Sequence, residues 1–503
     1  MSTVLGDLRD STTPVEVWEH FLEKDLSGAA YQLKEDIVLA VPADLRWRKD
    51  STQVVAYGGT TSIQTFRIMP AQLVVLSLLD GTRTLGEVFE SVAELSDCSL
   101  EAARLKVLRL LAYFRYPEQR YLIEEAALLR NGREIHQIPL KDLLIPHDQA
   151  RYSSRLDFPI SMMFMVTSAC QTNCVYCYAC RRHVPNSELL RIERIHELID
   201  ECADIGVAVI NFDGGDLFAR KEACEIIAHV VERGIWPDVS TKCYISKEDA
   251  RRLADAGLRW LQVGLDAPRP EMADYLVGRT GYLERAIETI HNVAEAGIPV
   301  RTNSIITRES LHLLPELLDL LLSLPLVNSK IAPAFRSYFR DNGEITLTPH
   351  QKMWLREVMM KAERQAPGRI FWEAEDDVLD LSEEGRRRRF GERAMCSSGR
   401  IQMVITPDGK VVTCEQSPQT PEFFCGDCSF QSIEEVWKSK EVEAWYSPDR
   451  EKFKGTVCYE CEHFYSCVVE QGHCWFHALR VHGTPFAPHP ECPKAPLTST
   501  RWY

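Results

Sequence analysis

Three cysteines recur at a C-x3-C-x2-C spacing in Cys170-Gln171-Thr172-Asn173-Cys174-Val175-Tyr176-Cys177, directly after an apolar run. Three thiolates held this closely can ligate three irons of one 4Fe–4S cluster and leave the fourth iron open, whereas an electron-transfer ferredoxin closes that site with a fourth cysteine. An open iron is a place for a small molecule to bind. The competing chemistry is a zinc knuckle, which commonly uses C-x2-C twice. Nine of the 17 cysteines crowd into residues 396–492 as a second pattern: C-x12-G-x4-C from Cys396 through Gly409 to Cys414, then Cys458-x2-Cys461-x5-Cys467-x6-Cys474, and finally Cys492. Met1 to Arg9 has no basic region followed by an apolar run, so no secretory signal is expected. Thiols in a cytoplasmic chain point to metal or redox chemistry, because disulfides do not persist there.

These residues need a scaffold, and 503 residues suffice for two to four domains. With 45% hydrophobic and 26% charged residues the chain has material for a sizeable core. No stretch reads as a membrane span. A net charge of -15 argues against nonspecific nucleic-acid binding as the main activity.

From Ile160 the chain alternates β-type runs with amphipathic helices. The expected strands are 160–167, 207–213, 238–244, 260–266, 300–307 and 330–335, which predicts an α/β fold with a partial (β/α)6 TIM-type barrel over residues 158–345. Such barrels carry their chemistry at the C-terminal ends of the strands. The triad follows the first strand, and Asp213-Gly214-Gly215-Asp216 ends the second. Thr241-Lys242-Cys243, Gln262 to Asp266 and Asn303-Ser304 end later ones. Residues 346–395 read as connecting helices, with Glu373 to Asp380 and Arg386 to Arg389 as a solvated surface of both signs. Residues 396–503 form the cysteine-rich part. Ahead of the barrel, Asp36–Val41, Thr52–Tyr57 and Thr61–Ile68 read as strands, with polar Arg48 to Ser51 between the first two. Three helices follow, over 70–79, 85–95 and 100–113, with a break at Asp80-Gly81 and a Ser99 cap. That order predicts a winged-helix-like domain over 1–125 and a linker over 126–157.

The triad, with Tyr176 just before its third cysteine, resembles the signature of the radical S-adenosylmethionine (SAM) enzymes. The resemblance implies that the cluster binds SAM and reduces it to a 5′-deoxyadenosyl radical. It also implies that Gly214, Gly215 and Asp216 receive the methionine amino group, and that Tyr176, Gln262 and Asn303 line the cofactor. Asp216-Leu217 departs from the usual Glu-Pro, and Lys242-Cys243 departs from the usual Asn-Gly.

The second cysteine pattern resembles the SPASM extension, a domain with two auxiliary 4Fe–4S clusters, except for x6 where x3 is usual before Cys474. It implies an outer cluster on Cys458, Cys461, Cys467 and Cys492, and an inner one on Cys396, Cys414 and Cys474, with Cys425 or Cys428 as the fourth donor. His463 and His473 are weaker candidates. Three 4Fe–4S clusters are therefore expected.

The first section resembles the peptide-recognition element of ribosomal-peptide biosynthesis, which takes up a precursor's leader as an added strand; a winged-helix DNA binder is the alternative. Together these imply a radical SAM oxidoreductase that matures a precursor peptide by thioether or C–C crosslinking. A flavodoxin- or ferredoxin-like donor would supply electrons. A peptide epimerase, with Cys180 or Cys243 returning hydrogen, and a formylglycine-type sulfatase maturase are the alternatives.

Overall fold

The computed structural model describes residues 35–41, 45–58, 64–115, 124–125, 138–146, 149–151, 153–180, 182–335, 337–339, 345–372 and 382–495. The expected start of the third strand at 61–63, the linker portion 126–137 and the acidic stretch 373–380 lie outside the described residues. The chain divides into two compact units, 1–153 and 154–503.

In the first unit, β1 (Val38–Ala40) lies between β5 (Asp80–Thr84) and β6 (Glu124–Glu125), while β2 (Arg46–Lys49), β3 (Val54–Gly58) and β4 (Gln64–Ile68) form an antiparallel meander. Among the described residues three longer helices accompany them, α1 (Pro70–Leu78), α2 (Leu85–Ser96) and α3 (Leu100–Arg115), with a four-residue helix at Leu140–Leu143. Pro70 starts α1, where its missing N–H costs nothing. Thr84 and Glu87 form a reciprocal capping box at the start of α2, with Thr84 N donating to Glu87 Oε2 at 2.7 Å. The Ser99 hydroxyl accepts from Ala102 N at 3.2 Å.

Two elements differ from the expectation. Arg48-Lys49 lies within strand β2, not in a separator, because backbone pairing to the fully buried Val54–Ala56 run supplies what its polar side chains do not. Asp80-Gly81 does break the helices, but the break itself is strand β5, whose Asp80 carboxylate accepts from Thr82 N at 3.0 Å. Leu39, Val54, Phe66, Leu73, Leu76, Phe89, Val107 and Leu111 fill this unit's own core.

The second unit is organised on one ten-stranded sheet. Its order is β13 (Ile370–Trp372), β12 (Asn328–Pro333), β11 (Val300–Ile306), β10 (Leu261–Gly264), β9 (Trp236–Thr241), β8 (Val209–Phe212), β7 (Ser161–Phe164), β14 (Gln402–Ile405), β15 (Lys410–Val412) and β16 (Gly426–Asp427). Strands β7 to β12 are the six of the partial barrel, linked by α4 (Ile192–Asp204), α5 (Ala223–Glu232), α6 (Lys247–Asp255), α7 (Pro270–Val277), α8 (Tyr282–Glu295) and α9 (Leu314–Ser323). The run from β14 to β13 is parallel throughout, and β15 and β16 add in antiparallel fashion beyond β14. The cysteine-rich part thus joins the barrel through main-chain bonds: Ile405 lies opposite Phe164, and Met165 N donates to Ile405 O at 2.9 Å. Sheet residues such as Met162, Ile210, Phe212, Val239 and Val263 pack with Leu198, Ile199, Ile227, Leu253, Ile290 and Val293 of the helices. Among the described residues no helix is long and apolar enough to cross a membrane.

Candidate active site and auxiliary cysteine centres

The triad occupies the loop that leaves β7. Asn173 N and Val175 N donate to Val277 O and Leu276 O at 2.7 and 2.9 Å, so the loop takes up carbonyls that the end of α7 leaves without helical partners. Gly278 closes α7 with φ of 64°, and an added Cβ there would meet Asn173 O at 3.1 Å. Cys170 is exposed, Cys177 is half-buried and Cys174 is buried.

The turn after β8 lies against this loop. An added Cβ at Gly215 would overlap Thr167 O and Ala169 O, and Asp216 N donates to Ala169 O at 2.9 Å. Gly214 has φ of 93°, and its added Cβ would run into Met165 Cγ at 2.7 Å. An open pocket runs past Thr167, Cys170, Cys180, Arg182, Gly214, Gly215 and Gln419.

The Asp216 carboxylate is committed to protein donors. It accepts from Thr241 Oγ1 at 2.9 Å, Lys242 N at 2.8 Å, Cys243 N at 3.2 Å and Phe218 N at 3.1 Å, and so ties the second strand end to the third. Tyr176 donates its hydroxyl to Asp266, which lies just past β10 and also accepts from Ile305 N at 2.8 Å. Asn303 Oδ1 is buried with no hydrogen-bond partner among the described residues. Gln262 lies on β10 opposite Arg301 of β11. Cys243 lies beyond the end of β9 at 3% exposure, where burial and then the Asp216 carboxylate drive its thiol pKa far up.

Four groups here were not read as functional from the sequence. Tyr178 donates to Asp213, whose other oxygen accepts from Gly214 N at 2.7 Å, and burial raises the Asp213 carboxyl. Lys242 and Asp266 form an ion pair at 3.6 Å beneath the triad. The one sequence signal was the departure at Lys242-Cys243.

The auxiliary cysteines gather in two sets. Cys396 N donates to Gln471 O at 3.3 Å, and a Cβ on Gly472 would meet Cys396 Cβ at 2.9 Å, which places Cys396 beside the approach to Cys474. Cys474 caps α14 (Trp475–His482), and it packs with Cys414, Phe423, Trp445 and Trp475. Burial, followed by the Cys396 thiol, pushes Cys474 up to about 12. Cys414 is raised by burial, then by Glu415, Cys396 and Cys474, and its thiol donates to Glu415 Oε2 at 3.5 Å.

The outer set is brought together likewise. Burial first, then Cys492, Cys467 and Cys461, push Cys458 up to about 12. Two cations flank this set: Arg393 donates to Cys467 Sγ at 3.2 Å, and Lys494 to Cys461 Sγ at 3.7 Å. Among the described residues no three ligating groups converge on a single-ion site. A four-iron cluster, by contrast, spreads its thiolates over separate irons.

Cys425 and Cys428 flank β16 and are buried in the barrel-side core. Cys425 donates to Phe423 O at 3.6 Å, and Cys428 lies by Cys202 and Glu201 of α4. Glu415 is a charged neighbour of Cys396, Cys414 and Cys474, and Arg400 of Cys396. His473 is buried with Nε2 2.9 Å from Pro485 O, and His463 is exposed.

Residues 164–321 match the radical SAM superfamily, and residues 396–462 match the iron-sulfur cluster-binding domain SPASM. The chain thus carries a radical SAM domain followed by a SPASM domain. It is 24% identical over 355 residues to the PqqA peptide cyclase of Rhizobium meliloti (strain 1021), covering 70% of this chain and 92% of that protein. It is 26% identical over 364 residues to the mycofactocin maturase MftC of Mycobacterium tuberculosis (strain H37Rv), covering 69% and 86%. Streptococcus suis SuiB bound to precursor peptide SuiA shares the fold at a TM-score of 0.56 and 15% identity, over 90% of this chain and 98% of that one.

The residues present fit the groups this class requires. Gly214 and Gly215 let the turn after β8 close against the triad loop along the pocket, a triad thiol is exposed beside them, and each auxiliary set gathers thiols in an apolar sheath.

Proposed function

We propose that this chain is a cytoplasmic maturase that crosslinks residues within a ribosomally made precursor peptide by oxidation, forming a thioether or a C–C bond. The observation that carries the reading is the continuous sheet that joins an accessible triad chamber to the half-buried cysteine-rich part, with β14 directly beside β7. Peptide-modifying activity in the names of the relatives supports it.

Bound SAM and clusters would supply a 5′-deoxyadenosyl radical at the triad and an electron acceptor at the auxiliary sets. Cys170, Cys174 and Cys177 would hold the first cluster. Cys458, Cys461, Cys467 and Cys492 would hold the outer auxiliary cluster, and Cys396, Cys414 and Cys474 the inner one, with Glu415 beside Cys414 as a further donor. Gly214 and Gly215 line the pocket that would take the cofactor, and Asn303 Oδ1 offers it an unspent acceptor. Asp216 acts mainly as a latch between strand ends, since its oxygens are already taken by four donors. A flavodoxin- or ferredoxin-like protein would deliver the electrons. The first unit would hold the leader by adding it to an edge of its sheets, with β2 and β4 as the edges of the meander.

Epimerisation is the second reading, favoured by Cys180, a thiol that lines the pocket. Co-expression with a precursor peptide encoded beside the gene, followed by mass spectrometry, separates the two. Crosslinking makes the product two hydrogens lighter per link. An isobaric product carrying solvent deuterium would replace crosslinking with epimerisation.

A further inference from the structure

Two cations meet the outer cysteine set at its sulfur atoms. Arg393 donates to Cys467 Sγ at 3.2 Å and to Cys467 O at 3.3 Å, and Lys494 donates to Cys461 Sγ at 3.7 Å. The Arg393 guanidinium is clamped in that place: it also donates to Phe390 O at 2.6 Å and lies 4.0 Å from the centre of the Phe390 ring. The helix Glu383–Glu392 that leads into it is tied to the same set, with Arg386 donating to Cys492 O and Arg389 paired with Glu491 at 2.9 Å. Lys494 is held less firmly, being half exposed and shared with Glu462 at 3.3 Å.

The inner set has different charges around it. Glu415 neighbours all three of its cysteines, and Cys414 donates to Glu415 Oε2 at 3.5 Å. Arg400 lies by Cys396, but its guanidinium donates to the carbonyls of Tyr446 at 2.6 Å and Val469 at 2.7 Å. The reduction potential of a 4Fe–4S cluster follows its net charge and the hydrogen bonds made to its sulfurs. A cation that donates to a ligand thiolate favours the reduced cluster, and a carboxylate beside the ligands opposes the added electron.

We propose that Arg393 and Lys494 raise the reduction potential of the cluster on the outer set above that of the cluster on the inner set, so that an electron shared by the two settles on the outer one. This rests on the reading of both sets as 4Fe–4S sites. One electron moves: the inner cluster is reoxidised as the outer one is reduced, and no bond forms or breaks. Arg393 carries the larger share, because its guanidinium is fixed by Phe390 whereas solvent screens the Lys494 ammonium.

The test is a potentiometric titration followed by electron paramagnetic resonance. It uses anaerobically reconstituted full-length protein in which Cys170, Cys174 and Cys177 are replaced by Ala, so that only the auxiliary sets carry iron. Two midpoints are expected, and a further Cys414→Ala, which depletes the inner set, assigns them. Arg393→Gln should lower the outer midpoint by about 59 mV, a tenfold fall in the reduced-to-oxidised ratio of a one-electron centre. Lys494→Gln should lower it by less, Arg393→Lys should keep most of the wild-type value, and the inner midpoint should stay in place in all three. If Arg393→Gln fails to load iron, Lys494→Gln decides. An outer midpoint unmoved in the deciding variant, or inner and outer midpoints that fall together, overturns the proposal, as does an outer midpoint at or below the inner one in the protein with both cations intact. Iron well short of about eight per chain in that protein removes the reading of two auxiliary clusters itself.

Discussion

The triad chamber and the auxiliary region both gather cysteines, but they surround them differently. The triad hangs on a loop beside an open pocket, backed by a polar network of Tyr176, Asp266, Lys242 and Asp216. The auxiliary sets lie within aromatic packing: Trp445 is 5.2 Å from both Phe423 and Trp475 by the inner set, and Phe453 is 5.2 Å from Phe464 by the outer one. Charged neighbours are few there, chiefly Glu415 inside and Arg393 and Lys494 outside. A site that must admit and orient a charged cofactor needs polar walls and an opening. A site that passes only an electron can be closed, and an apolar sheath holds solvent away from it.

Breaking the chamber should have the largest effect. Replacing Cys170, Cys174 or Cys177 by Ala is expected to reduce 5′-deoxyadenosine formation to background, since each removes one iron ligand of the open cluster. Liquid chromatography of the nucleoside checks it, and turnover near the wild-type level would dissociate the triad from SAM chemistry. Removing residues 1–153 comes next. That unit has its own core, so its loss should leave uncoupled 5′-deoxyadenosine formation while peptide product falls by at least about tenfold through lost leader binding. Equal processing of the precursor would place recognition in the second unit.

The auxiliary region should answer in another way. Cys414→Ala and Cys474→Ala are expected to keep cofactor cleavage but lose oxidised peptide, with about four fewer irons per chain than the roughly twelve of three clusters. Full product from a cluster-depleted Cys474→Ala would mean that the electron leaves by another route. Glu415→Gln should sharpen the contrast further. It is expected to shift the Mössbauer signature of one iron in the inner cluster, whereas Cys425→Ser and Cys428→Ser leave that signature unchanged. Loss of a thiolate-ligated iron in either serine variant would return the fourth position to a cysteine.

The smallest effect concerns those two cysteines. Burial first, and then Glu441 for Cys425 and Glu201 for Cys428, push both thiols from 9.0 to about 12. The folded-state value is raised, so the stabilisation is complete below pH 9 and is lost as pH rises from 9 towards 12. Native protein at pH 8 should therefore leave Cys425 and Cys428 unlabelled by iodoacetamide while exposed Cys170 of the metal-free protein reacts. Peptide mapping reads this directly.

Much of this architecture was local and therefore readable in the chain. Strand and helix periodicities announced the six barrel strands, with observed ends within a few residues of expectation: the third strand, expected over 238–244, runs Trp236–Thr241. The C-x3-C-x2-C loop and the glycine pair are sequence-adjacent, so their spacing alone carried their chemistry. What the chain could not announce was which distant groups would meet. Strand β2 is polar and exists because β3 is there to pair with it. Cys425 and Cys428 lie between the two auxiliary motifs in sequence, and only the fold sets Cys428 beside Glu201 of α4 and Cys425 beside Trp445. Lys242 and Gly264 are on neighbouring strands, and only the register Gln262 to Ser240 brings the lysine across the glycine. Spacing along a strand or loop is set by covalent geometry, which sequence determines by itself. Pairing between strands and the sharing of a buried charge are set by the whole fold, because their free energy depends on what surrounds them.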